Sequence, residues 1–382
     1  MDFTFNEQEH LFAEAVRRYA RERLMPESPK WDRGAPYSRE QVRELGQLGI
    51  TGISIPAAYG GIEGTFTMAG IAAEELGRAD VGVTLFLQIS MIGGTIAKHG
   101  TERVKRDWLP GLASGEKVIA LGLTEPGVGS DAAALVTAAK RDGDSYTIRG
   151  EKASISLAGM ADGAIVFART GGEGARGVSA FMVPLDLPGV SRTIYRSAGE
   201  RLAQRGSLNF DDVRIPADHL LGAEGGGFYR VMNAFDYNRA LIALACLGAA
   251  AQSLEETVEY AKRRTTFGRP IAKHEAVSFQ IAEYLTMVEA GRLLAYQCLA
   301  RRDRGEPHTK EAAMAKWLGP KVATEAIHAC IILHGWLGYD QDLPFDQRLR
   351  DVIGLEIGDG TPQIMKGIVA REIFGREFMP YR

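Results

Sequence analysis

Cysteine is scarce in this chain, with three residues in 382, Cys246, Cys298 and Cys330. They stand far apart in apolar, helix-like surroundings, which excludes a disulfide framework and the paired spacing of a zinc site. Buried, unreactive thiols in a reducing compartment are expected, and no metal. An excess of positive charge is also missing: 45 basic residues face 48 acidic ones, a net charge of −3. Composition therefore gives no electrostatic case for nucleic acid or an anionic membrane as partner. No apolar stretch approaches the roughly 20 residues that span a bilayer. The opening MDFTFNEQEHLF places acidic and polar residues where a signal peptide has a basic and then an apolar run. The expectation is a cytoplasmic protein without membrane association. Internal repeats and low-complexity tracts are absent as well, and residues 121–131 carry neither the GxGxxG fingerprint nor the GK[ST] phosphate loop.

What is present has the balance of a globular protein, 45% hydrophobic and 24% charged, and a length that calls for two or three structural units. Three textures follow one another: helical over 1–118, strand-like over 119–225, and helical again over 226–382. In the first, Asn6 can cap a helix carrying Leu11, Ala15, Tyr19 and Leu24 at helical spacing up to Pro26, and Ser38 with Gln41 resembles a capping box. Further helices are expected over 67–76 and 90–98. In the second, SYTIRG, GAIVFART, VSAFMVPL and GSLNFDDVRIP read as strands, with Arg141-Asp142-Gly143-Asp144 as a hairpin turn. Gly and Pro punctuate them as in an antiparallel sheet or small barrel. In the third, long helices over 239–264, 276–302 and from Thr309 onward suggest a bundle.

Two segments invite chemistry. LGLTEPGVGSD, residues 121–131, is a loop of small and hydroxyl residues after a strand, equally readable as a structural turn or as backbone that admits a ligand. IGDGTPQI, residues 357–364, sets Asp359 between two glycines ahead of a helix that Thr361 can cap with Pro362 at its first position. Asp-Gly is a common turn dipeptide, so Asp359 reads either as a turn residue or as a carboxylate left accessible to a substrate.

Taken together the segments decide between these readings. LTEPGVGSD, GEKASISLAG, FDDVRIPADHLLG, FDYNR, RRTTFGRPI and LRDVIGLEIGDGTPQI occur in the order and at the spacings of the acyl-CoA dehydrogenase flavoproteins. The chain resembles that family over almost its whole length. The resemblance implies an α+β fold with an N-terminal helical domain, a middle β-barrel-like domain and a C-terminal four-helix bundle, assembled as a homotetramer. It implies FAD as cofactor, an acyl-CoA as substrate and an electron-transfer flavoprotein or similar acceptor as partner. In the matching positions Leu123, Thr124 and Ser156 would meet the flavin. Arg264, Thr266 and Phe267 would reach FAD from a neighbouring subunit, and Thr361 and Gln363 would also hold the cofactor. Ser130, Asp236, Arg239 and Gly360 would lie along the substrate. Asp359 would remove the α proton of the thioester while the β hydrogen leaves as hydride to flavin N5. Backbone N–H of Asp359 or a neighbour would stabilise the developing enolate, together with a flavin ribityl hydroxyl.

The departures from the family pattern are informative. Asp359 replaces the usual Glu, shortening the arm by roughly 1.5 Å. Asn238 stands where members with a relocated base carry Glu, which leaves Asp359 as the base. Ser154–Ser156 replace a Trp-Ile-Thr run, freeing volume beside the flavin. Ile332 and Trp336 depart from the usual Gln-x-x-Gly-Gly. Together these features resemble members acting on cyclohexane-1-carboxyl-CoA to give cyclohex-1-ene-1-carboxyl-CoA. The alternatives are another branched or short acyl-CoA, an acyl-carrier thioester, or a flavin oxidase of the nitroalkane type. The stretch from Leu85 to Met91 is expected to supply one wall of the pocket.

Overall fold

A computed structural model describes residues 4–379. Helix α1 (Glu7–Tyr19) begins with a capping box between Asn6 and Glu9. It buries Ala13 and Val16 rather than the expected Leu11, which is 62% exposed. A single π turn, Ala20–Leu24, follows. Ala20 and Leu24 within it point inward, continuing the Ala13–Val16 face. Helices α2 (Ser28–Asp32), α3 (Arg39–Gln47, with the Ser38–Gln41 capping box), α4 (Phe66–Ala79), α5 (Leu87–His99) and α6 (Glu102–Ala113) complete the first helical region.

The strands are β1 (Ile119–Gly122), β2 (Ala138–Asp142), β3 (Ser145–Ile155), β4 (Gly163–Arg169), β5 (Val178–Pro184), β6 (Val190–Ile194) and β7 (Gly206–Pro216). They form one sheet in the order β1-β4-β2-β3-β7-β6, with β5 on β4. The β2–β3 hairpin turns at Gly143-Asp144, between paired Asp142 and Ser145, and Gly143 takes the left-handed backbone (φ +57°) that such a turn requires. The sheet is mixed rather than antiparallel throughout, because β1 and β2 both pair parallel to β4. The β2–β3 hairpin interrupts the path from β1 to β4, so β4 returns beside β1 in the same direction.

The chain then enters α7 (Gly227–Arg263), a short hairpin of β8 (Thr265–Thr266) and β9 (Arg269–Pro270), and helices α8 (Glu275–Asp303), α9 (Thr309–His334), α10 (Phe345–Ile357) and α11 (Pro362–Phe374). Helix α7 begins well before the expected residue 239 and is the axis of the molecule, packing on α4, α8 and α9. Its approach to α4 depends on two glycines. A Cβ on Gly248 would lie 2.3 Å from the Glu74 carbonyl oxygen, and one on Gly77 would lie 2.3 Å from that of Ala245.

Contrary to the reading of the sequence, two helical stretches, Val81–His99 and Gly227–Arg263, are long and apolar enough to cross a membrane. Their most apolar windows are 61% and 72% buried inside the chain, the position of core helices. The three cysteines are free and buried.

Candidate active site

Helix α10 stops at Ile357, and the chain turns through Gly358, Asp359 and Gly360 before Thr361 caps α11 with Pro362 at its first position. Asp359 has a left-handed backbone, φ +55°, and Gly360 follows at φ +110°. Such a conformation at a non-glycine residue costs about 1–2 kcal/mol, so other groups must hold it. Three side chains do. Asn238 Nδ2 donates to Asp359 Oδ2. Arg239 Nε donates to the Asp359 carbonyl at 3.3 Å. Lys316 Nζ donates to the carbonyls of Glu356 and Gly360, at 3.2 and 3.0 Å, on either side of the acid.

Asn238 and Arg239 are consecutive on α7, so one turn of helix grips both the side chain and the backbone of Asp359. The Arg239 guanidinium is buried against Asp236 at 2.7 Å, and Asp236 in turn accepts from the Thr309 hydroxyl at 2.7 Å. These two residues brace the acid rather than line its cavity. Gly360 likewise has a backbone role. Its φ is left-handed, and a Cβ there would meet Met365 Cε at 2.4 Å.

Asp359 opens into a cavity whose other polar side chains are Thr84, Gln88, Ser156, Arg205 and Asn238, and whose apolar walls include Leu85, Leu87, Leu241, Ile242 and Leu355. The stretch from Leu85 onward does supply a wall, as far as Gln88. Met91 faces a different space, beside Leu121 and Phe167.

The charges behind the cavity were not legible in the sequence. Arg205 Nη2 pairs with the buried Glu200 at 2.6 Å. Burial pushes the Glu200 carboxyl up; Arg205 opposes this, and the charge of Asp359 adds to it. The Glu200 N–H donates to Asp351 at 2.5 Å, whose own carboxyl is raised well above the usual range by burial and then by Asp80.

Lys316 is 1% exposed, and burial lowers its pKa from 10.5 to about 8, against the influence of Asp359. The folded value lies below the unfolded one, so between these limits the unfolded chain binds the extra proton. Stability contributed by this position therefore rises with pH from about 8 toward 10.5. Relative to Lys316→Met, the wild type is expected to gain up to about 3 kcal/mol across that window. Urea denaturation at both ends of it checks this, and parallel curves for the two proteins would refute it. A hint of this lysine existed in the sequence: it is the lone charge on the Ala312–Gly319 stripe of α9.

On the sheet side, Leu123 and Thr124 follow β1, and the Thr124 carbonyl accepts from the Ala153 N–H at 2.8 Å. This brings the 121–131 loop beside the end of β3, three residues from Ser156. The two segments are joined by a buried ion pair, Lys152 Nζ to Glu125 Oε1 at 2.7 Å, with side chains 0% and 3% exposed. Lys152 also donates to the Leu123 carbonyl, and Glu125 accepts from the N–H groups of Val136 and Thr137. Ser130 is exposed on this loop. Ser154 is exposed too, with φ +56°.

Thr361 is half-buried and Gln363 exposed, just beyond the acid. The structure does not bring Arg264, Thr266 and Phe267 to this site. They follow the C-terminus of α7, and roughly 25 residues separate Asn238 from that end, about 38 Å along a helix. Phe267 is 96% exposed there, and Trp336 82%.

The chain matches the N-terminal domain of acyl-CoA dehydrogenases over residues 6–116, the middle domain over 120–213 and the C-terminal domain over 225–374. It belongs to the acyl-CoA dehydrogenase family. The short-chain specific mitochondrial acyl-CoA dehydrogenase of Bos taurus is 35% identical over 95% of this chain and 89% of its own length. The butyryl-CoA dehydrogenase structure from Megasphaera elsdenii superimposes with a TM-score of 0.94 at 33% identity, covering 98% of this chain and all of that one. A glutaryl-CoA dehydrogenase of Mycobacterium smegmatis in complex with FADH2 is similar at a TM-score of 0.92 and 28% identity, covering 99% and 97% of the two chains. The acyl-CoA dehydrogenase fold, FAD dependence and oxidoreductase activity on acyl-CoA follow. The first two relatives are short-chain and butyryl enzymes, so an alicyclic specificity rests on this chain's own residues.

Proposed function

We propose that this enzyme dehydrogenates a compact acyl-CoA branched at its α carbon, cyclohexane-1-carboxyl-CoA being the type, with Asp359 as the base. The observation that carries the reading is the cavity shared by Asp359 and Ser156, walled by leucines and isoleucine. FAD, when bound, accepts the β hydrogen as hydride. Ser156 and Thr124 fit its ring system, because they follow the ends of β3 and β1, which the Ala153–Thr124 backbone hydrogen bond holds side by side. Glycines 127 and 129 have nothing within 4 Å of where a Cβ would be. Thr361 and Gln363 would add contacts from beyond the acid.

Asp359 takes the α proton through a carboxylate one methylene shorter than Glu, which favours a substrate whose acidic carbon approaches closely. Among the described residues, the Asp359 N–H has no backbone acceptor, leaving it free to donate to a thioester carbonyl as negative charge develops. The apolar walls exclude water, which strengthens that donation. Ser130, on the exposed loop, would meet the pantetheine arm, while Asp236 and Arg239 support the base.

The far hairpin completes the proposal. Arg264, Thr266 and Phe267 serve the flavin of a second copy, and the exposed Phe267 and Trp336 support a homotetramer. The physiological setting proposed is cytoplasmic, with an electron-transfer flavoprotein as acceptor.

Anaerobic titration of the yellow enzyme with linear, branched and cyclic acyl-CoAs tests the substrate. Cyclohexane-1-carboxyl-CoA is expected to bleach the flavin at least tenfold faster than butyryl-CoA, about 1.4 kcal/mol of discrimination. The reverse order would favour the second reading, a straight short-chain substrate, which the specificities of the relatives support.

A further inference from the structure

We infer that Asn238 is a positioning residue for proton abstraction, fixing which oxygen of Asp359 faces the substrate; this rests on Asp359 being the base. Asn238 Nδ2 donates to Oδ2, and both residues line the same cavity. Among the described residues Oδ1 has no hydrogen-bond partner, so one oxygen is committed to the protein and the other is left for chemistry. Asp has only two side-chain torsions, and a single bond to one oxygen is enough to set the carboxylate plane. The longer arm of Glu would need more. The short base and its amide partner thus belong together.

The rest of the surroundings cannot take over this task. Arg239 from the same helix reaches only the Asp359 backbone carbonyl. Lys316 from α9 is committed to the Glu356 and Gly360 carbonyls. Arg205 is held by Glu200 on the loop after β6. Glu356 on α10 turns its carboxylate to Thr324 at 2.7 Å. Among the described residues Asn238 alone hydrogen-bonds the carboxylate, and its residue type was not a signal in the sequence beyond excluding it as a base.

The test uses the FAD-loaded enzyme with Asn238→Leu, near in volume but without a donor, and Asn238→Asp, isosteric but placing like charge beside the base. Two readouts separate positioning from folding. One is turnover split into kcat and KM. The other is exchange of the α proton of acetyl-CoA into D2O, followed by NMR, which needs the base and no β hydrogen. Both variants are expected to lose roughly tenfold to hundredfold in kcat and in exchange rate, with KM within about twofold and FAD content and Tm unchanged. The inference is overturned if either folded variant keeps kcat and exchange within about twofold of wild type while Asp359→Asn is inactive. If Asp359→Asn itself retains wild-type exchange, the assignment of the base falls instead.

Discussion

Asp359→Ala is expected to retain FAD and its yellow colour but to lose bleaching by acyl-CoA, with the anaerobic rate down roughly 10²–10⁴-fold. The loss should be selective, because the turn keeps its backbone anchors when the Asn238 bond to this carboxylate is lost. Lys316 holds the carbonyls of Glu356 and Gly360, and Thr361 caps the next helix whatever stands at 359. Ala in a left-handed conformation adds only about 1 kcal/mol of strain, so Tm should fall by a few degrees at most. A companion variant separates reach from chemistry. Asp359→Glu restores the missing methylene, roughly 1.5 Å, and is expected to shift preference from cyclic toward linear acyl groups. Stopped-flow absorbance of the flavin reads both. Wild-type bleaching by Asp359→Ala would remove the base from the scheme.

The second large effect is structural. Lys152→Met would leave Glu125 charged, fully enclosed and without its cation, a situation that costs about 3–5 kcal/mol. The pair ties the 121–131 loop to β3, so stability and flavin retention should fall together. At neutral pH the lysine is still protonated, since burial lowers it only to about 8 against the pull of Glu125. Glu125 is lowered by Lys152 and by the Val136 and Thr137 amides, which outweigh burial. Adding Glu125→Gln to Lys152→Met removes the orphaned charge while keeping an acceptor for those amides, and is expected to recover most of the loss. Denaturation midpoints of the two variants check this. A double variant no more stable than the single one would show that the loop, not the charge, carries the cost.

The local devices of the fold were written plainly in the chain. Asn6 with Glu9, Ser38 with Gln41, and Thr361 with Pro362 each satisfy backbone donors within four residues, so short-range sequence is sufficient to specify them. The Gly143-Asp144 hairpin is local in the same way. The order of motifs also carried the family.

The direction of β4 beside β1, by contrast, depends on a partner some 40 residues away. The buried face of α1 depends on what packs against it: Ala13 and Val16 turn inward while Leu11 stays exposed. At the site, Asn238, Lys316, Arg205 and Glu200 come from three separate elements and meet Asp359 only after α7, α9 and α10 have packed. A hydrogen bond from an amide on residue 238 to a carboxylate on residue 359 leaves no trace in either segment. Sequence by itself determined which carboxylate is proposed for the chemistry, because that choice rests on residue type and its neighbours in the chain. Tertiary structure alone decided how that carboxylate is aimed, because aim depends on groups that only packing brings within hydrogen-bond reach.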